Sequence, residues 1–527
     1  MGIGTYTSLS KMLLDVKNVE DIGISHIKNI NETTEYSYKS IHILALKFLH
    51  MLKASGLQPQ DELIVLSTDK ELGFIIFWAC VYGGIRIVFG NNNENSKEQF
   101  INFSKLCSRP FFITDNINYY KVNFDGILSD RMLLMPNMEE LERYSPDENL
   151  IFPAKEDDIA AIIFSSGSIK EPKGVSITHK NASSFASALS NKMGLCSKDI
   201  SLTWMPLGTI TDFMVHHIVP LYNKCQQYHL NNQLFVKMPF YLCELLSNTK
   251  TTFTTLINSM FPVISSYASN QEYNWSLSNV RYIFVGAEPV TEKASTDFLL
   301  AMEKYGLNKN CLKPGYGLSE TMSAATVLGP ECSISMLTID DTNMNIGNKI
   351  SIISHMQKHA HTYVSVGTCL KCVQISITDE QGKSLSPGYI GIIKIKGDTV
   401  SCGYYGIETL IKDKNGWFDT GDIGFLDNNH LYIVGRYKDM FIVNGKNYYY
   451  NDLEHKLSLI VNMNIHDITL ACVDNINNTD IHELICFLKW DNLVNYQLYD
   501  ICQNIKDFCL NYYALKANRF CLLYTSS

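Results

Sequence analysis

The chain is 527 residues long, with 46% hydrophobic and 18% charged residues. That balance excludes a chain disordered throughout, and the length is enough to bury a core without disulfide staples. Its 44 Lys and Arg against 53 Asp and Glu give a net charge of −9, the wrong sign for a protein that coats nucleic acid.

The first residues, Met1-Gly-Ile-Gly-Thr-Tyr-Thr-Ser8, carry neither a basic stretch nor an apolar run, so no secretory signal is expected. The 15 cysteines are odd in number and scattered, which reads as reduced thiols in a cytoplasm. Tyr38 to Ala54 places Ile41, Leu44, Ala45, Phe48 and Leu52 at helical spacing. Glu62 to Ser67 reads as a strand, Glu71 to Val81 as a helix and Ile85 to Phe89 as a strand. The apolar run from Leu72 to Ile85 falls short of the ~20 residues a bilayer span needs and reads as a buried helix. Ile159 to Phe164 is a continuous apolar run, as in a strand covered on both faces.

Helix–strand alternation of this kind predicts an α/β fold with largely parallel sheets. Farther along, Val373 to Asp379 and Tyr389 to Lys396 alternate like half-exposed strands. A β-rich subdomain is therefore expected over about 345–435. After Gly435-Arg-Tyr-Lys-Asp439 the chain returns to mixed α/β character. The division expected is a large N-terminal domain, 1–435, and a small C-terminal α+β lid, 436–527.

The strand ending at Phe164 enters Ser165-Ser-Gly-Ser-Ile-Lys-Glu-Pro-Lys-Gly174. Small hydroxyl residues, glycines and a lysine can wrap a polyphosphate with backbone N–H groups. The same residues also suit a polar surface turn. The loop is not of the Gly-x-x-x-x-Gly-Lys-Ser/Thr type, because Pro172 precedes Lys173.

The pattern Ser-Ser-Gly-Ser-x-x-x-Pro-Lys-Gly resembles the phosphate loop of the AMP-forming adenylating enzymes. These comprise acyl-CoA synthetases, nonribosomal peptide synthetase adenylation domains and fatty acyl-AMP ligases. Asn279 to Val290, Pro314-Gly-Tyr-Gly-Leu-Ser-Glu-Thr321, Gly416-Trp-Phe-Asp-Thr-Gly-Asp422 and Gly435-Arg436 resemble further motifs of that family, in its order. Trp204-Met-Pro-Leu, Cys225-Gln-Gln227, Gly286-Ala-Glu-Pro289 and Asn447-Tyr-Tyr449 resemble starter or loading adenylation domains of bacterial polyketide and nonribosomal peptide assembly lines.

The resemblance implies that ATP and Mg²⁺ are used to convert a small carboxylic acid to its acyl-adenylate, which is then passed to the thiol of an acyl or peptidyl carrier protein. It places Ser165, Ser166, Gly167, Ser168, Lys173 and Gly174 around the phosphates, Ser319 at the α-phosphate and Glu320 on the metal. Lys173, Ser319 and Glu320 are the catalytic candidates. Gly286, Ala287, Glu288, Gly315, Tyr316 and Gly317 would border the adenine. Asp422 and Arg436 would hold the ribose, and Lys438 would be the hinge of the lid. Trp204, Asp212, His217 and Val285 would line the acyl pocket. On the residues alone, Glu320 could equally start a helix, Asp422 sit in a turn, Arg436 and Lys438 be surface charges, Asp212 cap a helix beginning near Phe213, and His217 pack in the core.

Three departures from the family pattern bear on activity. Ile169 and Lys170 replace a hydroxyl residue and a glycine. Gly208-Thr209 stand where relatives carry Asp-His or His-Asp. The family's late Pro-x-Thr-x-x-Gly-Lys motif has no lysine here, where the sequence reads Leu522-Leu-Tyr-Thr-Ser-Ser527. These leave two rival expectations: a degenerate binding domain, or an acyl-CoA synthetase. Cys369-x-x-Cys372 is a lone pair without the second pair that structural zinc requires. His355, His359 and His361 have no adjacent carboxylate and read as a solvated face.

Overall fold

Ser37 starts the first long helix, Tyr38–Ala54, its side chain accepting the N–H of Ser40. Asp69 does the same for Lys70–Gly83 through Glu71 and Leu72, and Gly84 ends that helix at φ 66°. Phe74 through Gly83 are all buried in it, so the apolar run that is too short for a membrane is a core helix. The computed structural model describes residues 6–67, 69–89, 106–107, 110–115, 131–164, 173–408, 411–443, 446–461, 463, 467–475, 478–489, 495–513 and 517–523. No helix among these residues is long and apolar enough to cross a membrane.

The chain divides into two compact units. The first comprises residues 1–334, 366–374 and 395–418, and the second 335–365, 375–394 and 419–527. The first holds two sheets. In the six-stranded sheet the order is Met132–Leu134, Phe111–Thr114, Glu62–Leu66, Arg86–Phe89, Ile159–Phe164 and Gly174–Thr178. All neighbours are parallel except the last pair.

The nine-stranded sheet is centred on five parallel strands, Leu312–Tyr316, Tyr282–Val285, Phe253–Leu256, Ile200–Thr203 and Gln226–Leu230. Gly23–Asn29 extends it in parallel, and antiparallel strands finish both edges. Leu202, Leu256, Ile283 and Leu312 on these strands pack with Phe261, Ile264 and Phe298 of the covering helices.

The second unit is richer in strands. From Met336 to Tyr449 the described residues form strands and short 3₁₀ turns, and an α-helix reappears only at Tyr450–Val461. A core of Ile339, Ile390, Ile423, Phe425, Tyr432 and Val434 fills this part. A separate core forms where Tyr450–Val461 and Asn495–Tyr513 pack on the three-stranded sheet of Ile468–Asn475, Asn478–Lys489 and Ala517–Leu523.

Candidate functional site

Three of the expected motifs leave the carboxyl ends of parallel strands in the nine-stranded sheet. Trp204 follows Ile200–Thr203, Gly286 follows Tyr282–Val285, and Gly317 follows Leu312–Tyr316. In parallel α/β sheets this edge is where ligands bind, because the strand-to-helix loops open there. Val285 pairs with Pro314, which sets Gly286–Glu288 beside Gly315–Gly317. The backbones come close: a Cβ on Gly286 would lie 3.4 Å from the Gly315 carbonyl oxygen. Ala287 takes a left-handed φ of 65°.

Glu320 is held by a tight reversal. The 3₁₀ turn Ser319–Thr321 is followed by Met322 and Ser323 at φ 58° and 84°. A Cβ on Gly317 would sit 2.3 Å from the Ser323 carbonyl oxygen, so only glycine fits. The Thr321 hydroxyl accepts the N–H of Leu318 at 2.9 Å. Ser319 is half-buried and Glu320 only 8% exposed.

The Glu320 carboxylate accepts one hydrogen bond at Oε1, from the Tyr404 hydroxyl at 2.6 Å. Lys173 is exposed, and its Nζ stands 4.9 Å from the centroid of the same Tyr404 ring. Gly174, which opens its strand, would bring a Cβ to within 2.8 Å of Ile162 Cγ2. Tyr404 carries no motif signature; its neighbours Cys402-Gly403 and Tyr405-Gly406 mark only a turn, so sequence reasoning passes over it. Ser165, Ser166, Gly167 and Ser168 lie outside the described residues.

The donor set suits magnesium. One hard carboxylate with an oxygen left for a cation, near a lysine, matches the way Mg²⁺ is held by one or two carboxylates plus substrate phosphates. No group of three or more His, Cys, Asp or Glu residues that could hold a metal occurs among the described residues. The histidine and CxxC patterns therefore form no such group; His361 lies within the strand Ala360–Val364.

The expected acyl-pocket residues are core residues. Trp204 donates its indole N–H to the Thr255 carbonyl at 2.9 Å and stacks on Phe235 at 4.1 Å. Val285 is 2% exposed. His217 lies in a π-helical turn, Met214–Ile218, fully buried. Its Nε2 accepts the Trp78 indole N–H at 2.9 Å. A tryptophan N–H can only donate, so the imidazole proton is on Nδ1 and is given to Gln227 Oε1 at 3.0 Å. Burial pushes the pKa of His217 down to about 3.

Asp212 corrects an expectation. The helix begins earlier than anticipated, at Ile210, with Thr209 at its N-cap position; Asp212 sits inside it and caps nothing. Its carboxylate is 0% exposed and paired with Lys70 Nζ at 2.6 Å, with the Thr203 hydroxyl donating at 3.1 Å. Burial raises the carboxyl to about 6 against the pull of Lys70. The fully buried His229 places Nδ1 3.9 Å from Asp212 Oδ1.

Glu288 is also engaged. Its two carboxylate oxygens accept the N–H and the hydroxyl of Ser259, at 2.9 and 3.0 Å. The side chain therefore turns toward the start of the helix Met260–Asn270. Tyr316 keeps its ladder place opposite Thr326.

Within the second unit, Asp422 and Arg436 face each other on adjacent antiparallel strands. Arg436 Nε lies 2.9 Å from Asp422 Oδ1, with the carboxylate buried and the arginine half exposed. Lys438 follows in the exposed 3₁₀ turn Tyr437–Asp439.

A family model described as AMP-binding enzyme matches residues 23–405, and the chain belongs to that family. It is 27% identical over 408 residues to the aspulvinone E synthetase melA of Aspergillus terreus, across 74% of this chain and 41% of that protein. It is 28% identical over 312 residues to the medium-chain-fatty-acid–[acyl-carrier-protein] ligase JamA of Moorena producens, across 56% of this chain and 52% of that protein. Among solved structures, the adenylation domain of a keto acid-selecting NRPS module bound to keto acyl adenylate superposes with a TM-score of 0.79. The identity is 24%, over 99% of this chain and 95% of that one. The fold is that of the adenylating enzymes. The chain thus aligns with only part of the length of the curated relatives it matches.

Proposed function

We propose that the protein activates a carboxylic acid with ATP as its acyl-adenylate, releasing pyrophosphate, and passes the acyl group to the phosphopantetheine thiol of a carrier protein. The observation that carries this reading is the Lys173–Tyr404–Glu320 arrangement. It sets a cation and a fixed carboxylate around one aromatic ring, beside glycine-only backbone at the open edge of a parallel sheet.

The chemistry follows from charge. Attack of a carboxylate on the α-phosphate brings two anions together, and the catalyst must neutralise them and hold them in line. Lys173 would meet the phosphate oxygens. Glu320 would hold Mg²⁺, which when bound offsets the charge of the leaving pyrophosphate. Ser319 would hydrogen-bond the α-phosphate. Gly286–Ala287 and Gly315–Tyr316 would border the adenine. Asp422 would accept the ribose hydroxyls, oriented by Arg436, and Lys438 would be the pivot of a C-terminal lid.

The acid we favour carries no α-ammonium group. Asp212, the anion at the expected acyl pocket, is already neutralised by Lys70. Keto and fatty acids, the classes named for the keto acid-selecting domain and for JamA, fit that surrounding better than an amino acid.

The test is ATP–pyrophosphate exchange with a panel of fatty, keto, hydroxy and amino acids. Exchange with a keto or fatty acid supports the reading, and absence of exchange with every acid refutes it. Thioester formation on coenzyme A but not on a carrier protein would replace the carrier-protein step.

A further inference from the structure

The segment around Tyr404 reaches both halves of the phosphate-handling apparatus. Toward the strand that leaves the phosphate loop, Ser176 N–H donates to the Gly403 carbonyl at 3.0 Å and Tyr405 N–H to the Gly174 carbonyl at 2.7 Å. Val175 and Tyr404 form an isolated antiparallel bridge. The Ser401 hydroxyl donates to the Ser176 carbonyl at 2.7 Å. Toward the acidic turn, Ser401 N–H donates to the Glu320 carbonyl at 2.8 Å, and the Tyr404 hydroxyl to Glu320 Oε1 at 2.6 Å. Residues 401–405 therefore clamp Glu320 by backbone and side chain to the residues that follow Lys173.

Among the described residues Glu320 Oε2 has no hydrogen-bond partner. The phenol thus takes one oxygen and leaves the other for a cation. A carboxylate that is free to rotate must be ordered when the metal binds; one already fixed by a charge-assisted hydrogen bond need not be.

We propose that Tyr404 is a positioning residue that orients the Glu320 carboxylate for the metal. Through its backbone bridge it ties metal binding to the placement of Lys173. The inference rests on the reading of Glu320 as a magnesium ligand given above.

Mn²⁺ serves as the probe, its affinity for the full chain measured by electron paramagnetic resonance in the presence of a non-hydrolysable ATP analogue. Tyr404 is partly exposed, so Tyr404→Phe removes one hydroxyl without opening the core, and a thermal melt checks that the fold is kept. The variant is expected to bind Mn²⁺ about 10-fold more weakly, the worth of a hydrogen bond to a charged group. The Mg²⁺ concentration that half-saturates pyrophosphate exchange should rise in parallel. Tyr404→His, which keeps a ring and an N–H donor, is expected to lose less.

Wild-type Mn²⁺ affinity in Tyr404→Phe, or equal losses in the phenylalanine and histidine variants, would overturn the proposal. Glu320→Gln separates the two levels. If it loses Mn²⁺ while Tyr404→Phe does not, Tyr404 is scaffold and the metal reading stands. If neither variant loses Mn²⁺, the reading of Glu320 has failed.

Discussion

Lys70→Met tests whether Asp212 is a paired core charge. In the folded chain the Asp212 carboxyl is raised from its ordinary 3.8 to about 6, chiefly by burial, while Lys70 and Thr203 pull it down. Lys70, also buried, is lowered for the same reason. Desolvation thus exceeds attraction on both partners, as in many buried pairs.

The sign follows from linkage. A carboxyl whose folded pKa exceeds its unfolded value contributes stability that is complete below 3.8 and lost as pH rises through about 6. Without Lys70 the folded pKa rises further, so the loss continues above 6. Each additional pH unit costs about 1.4 kcal/mol. Below pH 6 the carboxyl is largely protonated with or without the lysine, so the deficit of Lys70→Met should be smallest at pH 5 and grow from there. By pH 8 the variant should be about 3 kcal/mol less stable.

The assay is urea denaturation at pH 5, 6, 7 and 8, followed by tryptophan fluorescence; Trp78 and Trp204 lie in the same unit as the pair. Lys70 also helps to lower His26, His216, His217 and His229, but burial is the larger cause for each, so these rings stay neutral in the folded chain above pH 6 and add little to the difference between pH 6 and 8. In the double variant Lys70→Met/Asp212→Leu the deficit relative to the wild type should no longer grow between pH 6 and 8. A deficit in Lys70→Met that stays flat between pH 6 and 8 would refute the reasoning, because a carboxylate in contact with water would have no cause to protonate.

Other outcomes follow from the same geometry. Gly317→Ala forces a Cβ against the Ser323 carbonyl, 2.3 Å away. The shift it imposes on Glu320 should lower exchange by about 100-fold. Asp422→Asn should raise the KM for ATP by about 10-fold, yet change stability by no more than about 1 kcal/mol in a urea titration, since its partner Arg436 is half exposed. Gln227→Leu strands the donors of His217 and His229 and removes the N–H that the buried Tyr38 hydroxyl accepts, leaving that hydroxyl its bond to the Cys225 carbonyl. It should cost at least about 3 kcal/mol by the same measurement. His26, His216 and His217 are lowered to about 3 and His179 to about 4, each chiefly by burial. Folded values below the unfolded 6.5 mean that their stabilising effect is present above 6.5 and lost as pH falls toward those values. Wild-type stability measured from pH 7 to 5 should therefore decline on acidification.

Local pattern carries part of the fold a long way. The helix Tyr38–Ala54 begins and ends where its periodicity does, and the strand Ile159–Phe164 is the apolar run itself. Both are specified by neighbours within a few residues: a cap, a turn, a repeat of apolar positions. Pro314 to Thr321 is legible for a different reason. Its glycines are demanded by backbone contacts, and such demands leave a spaced signature in sequence.

Asp212 and Tyr404 show where that legibility ends. Lys70 is 142 residues from Asp212, and Tyr404 is 84 residues from Glu320. Neither pairing imposes a requirement on adjacent positions, so neither leaves a local pattern. Local rules leave Asp212 open between a pocket anion and a helix cap, and only the approach of Lys70 from another helix makes it a buried ion. The two pairs also differ in what they ask of the fold. Lys70–Asp212 is largely shielded from solvent, and each charge there has the other as its counter-ion. Tyr404–Glu320 lies past the carboxyl end of a sheet strand, with one carboxylate oxygen held by the phenol. A buried charge with its counter-ion already in place is spent as a recognition group, whereas a half-satisfied carboxylate at an open edge is still available to a ligand. That difference in satisfaction, more than the identity of either acid, separates the paired core carboxylate from the one proposed as a metal ligand.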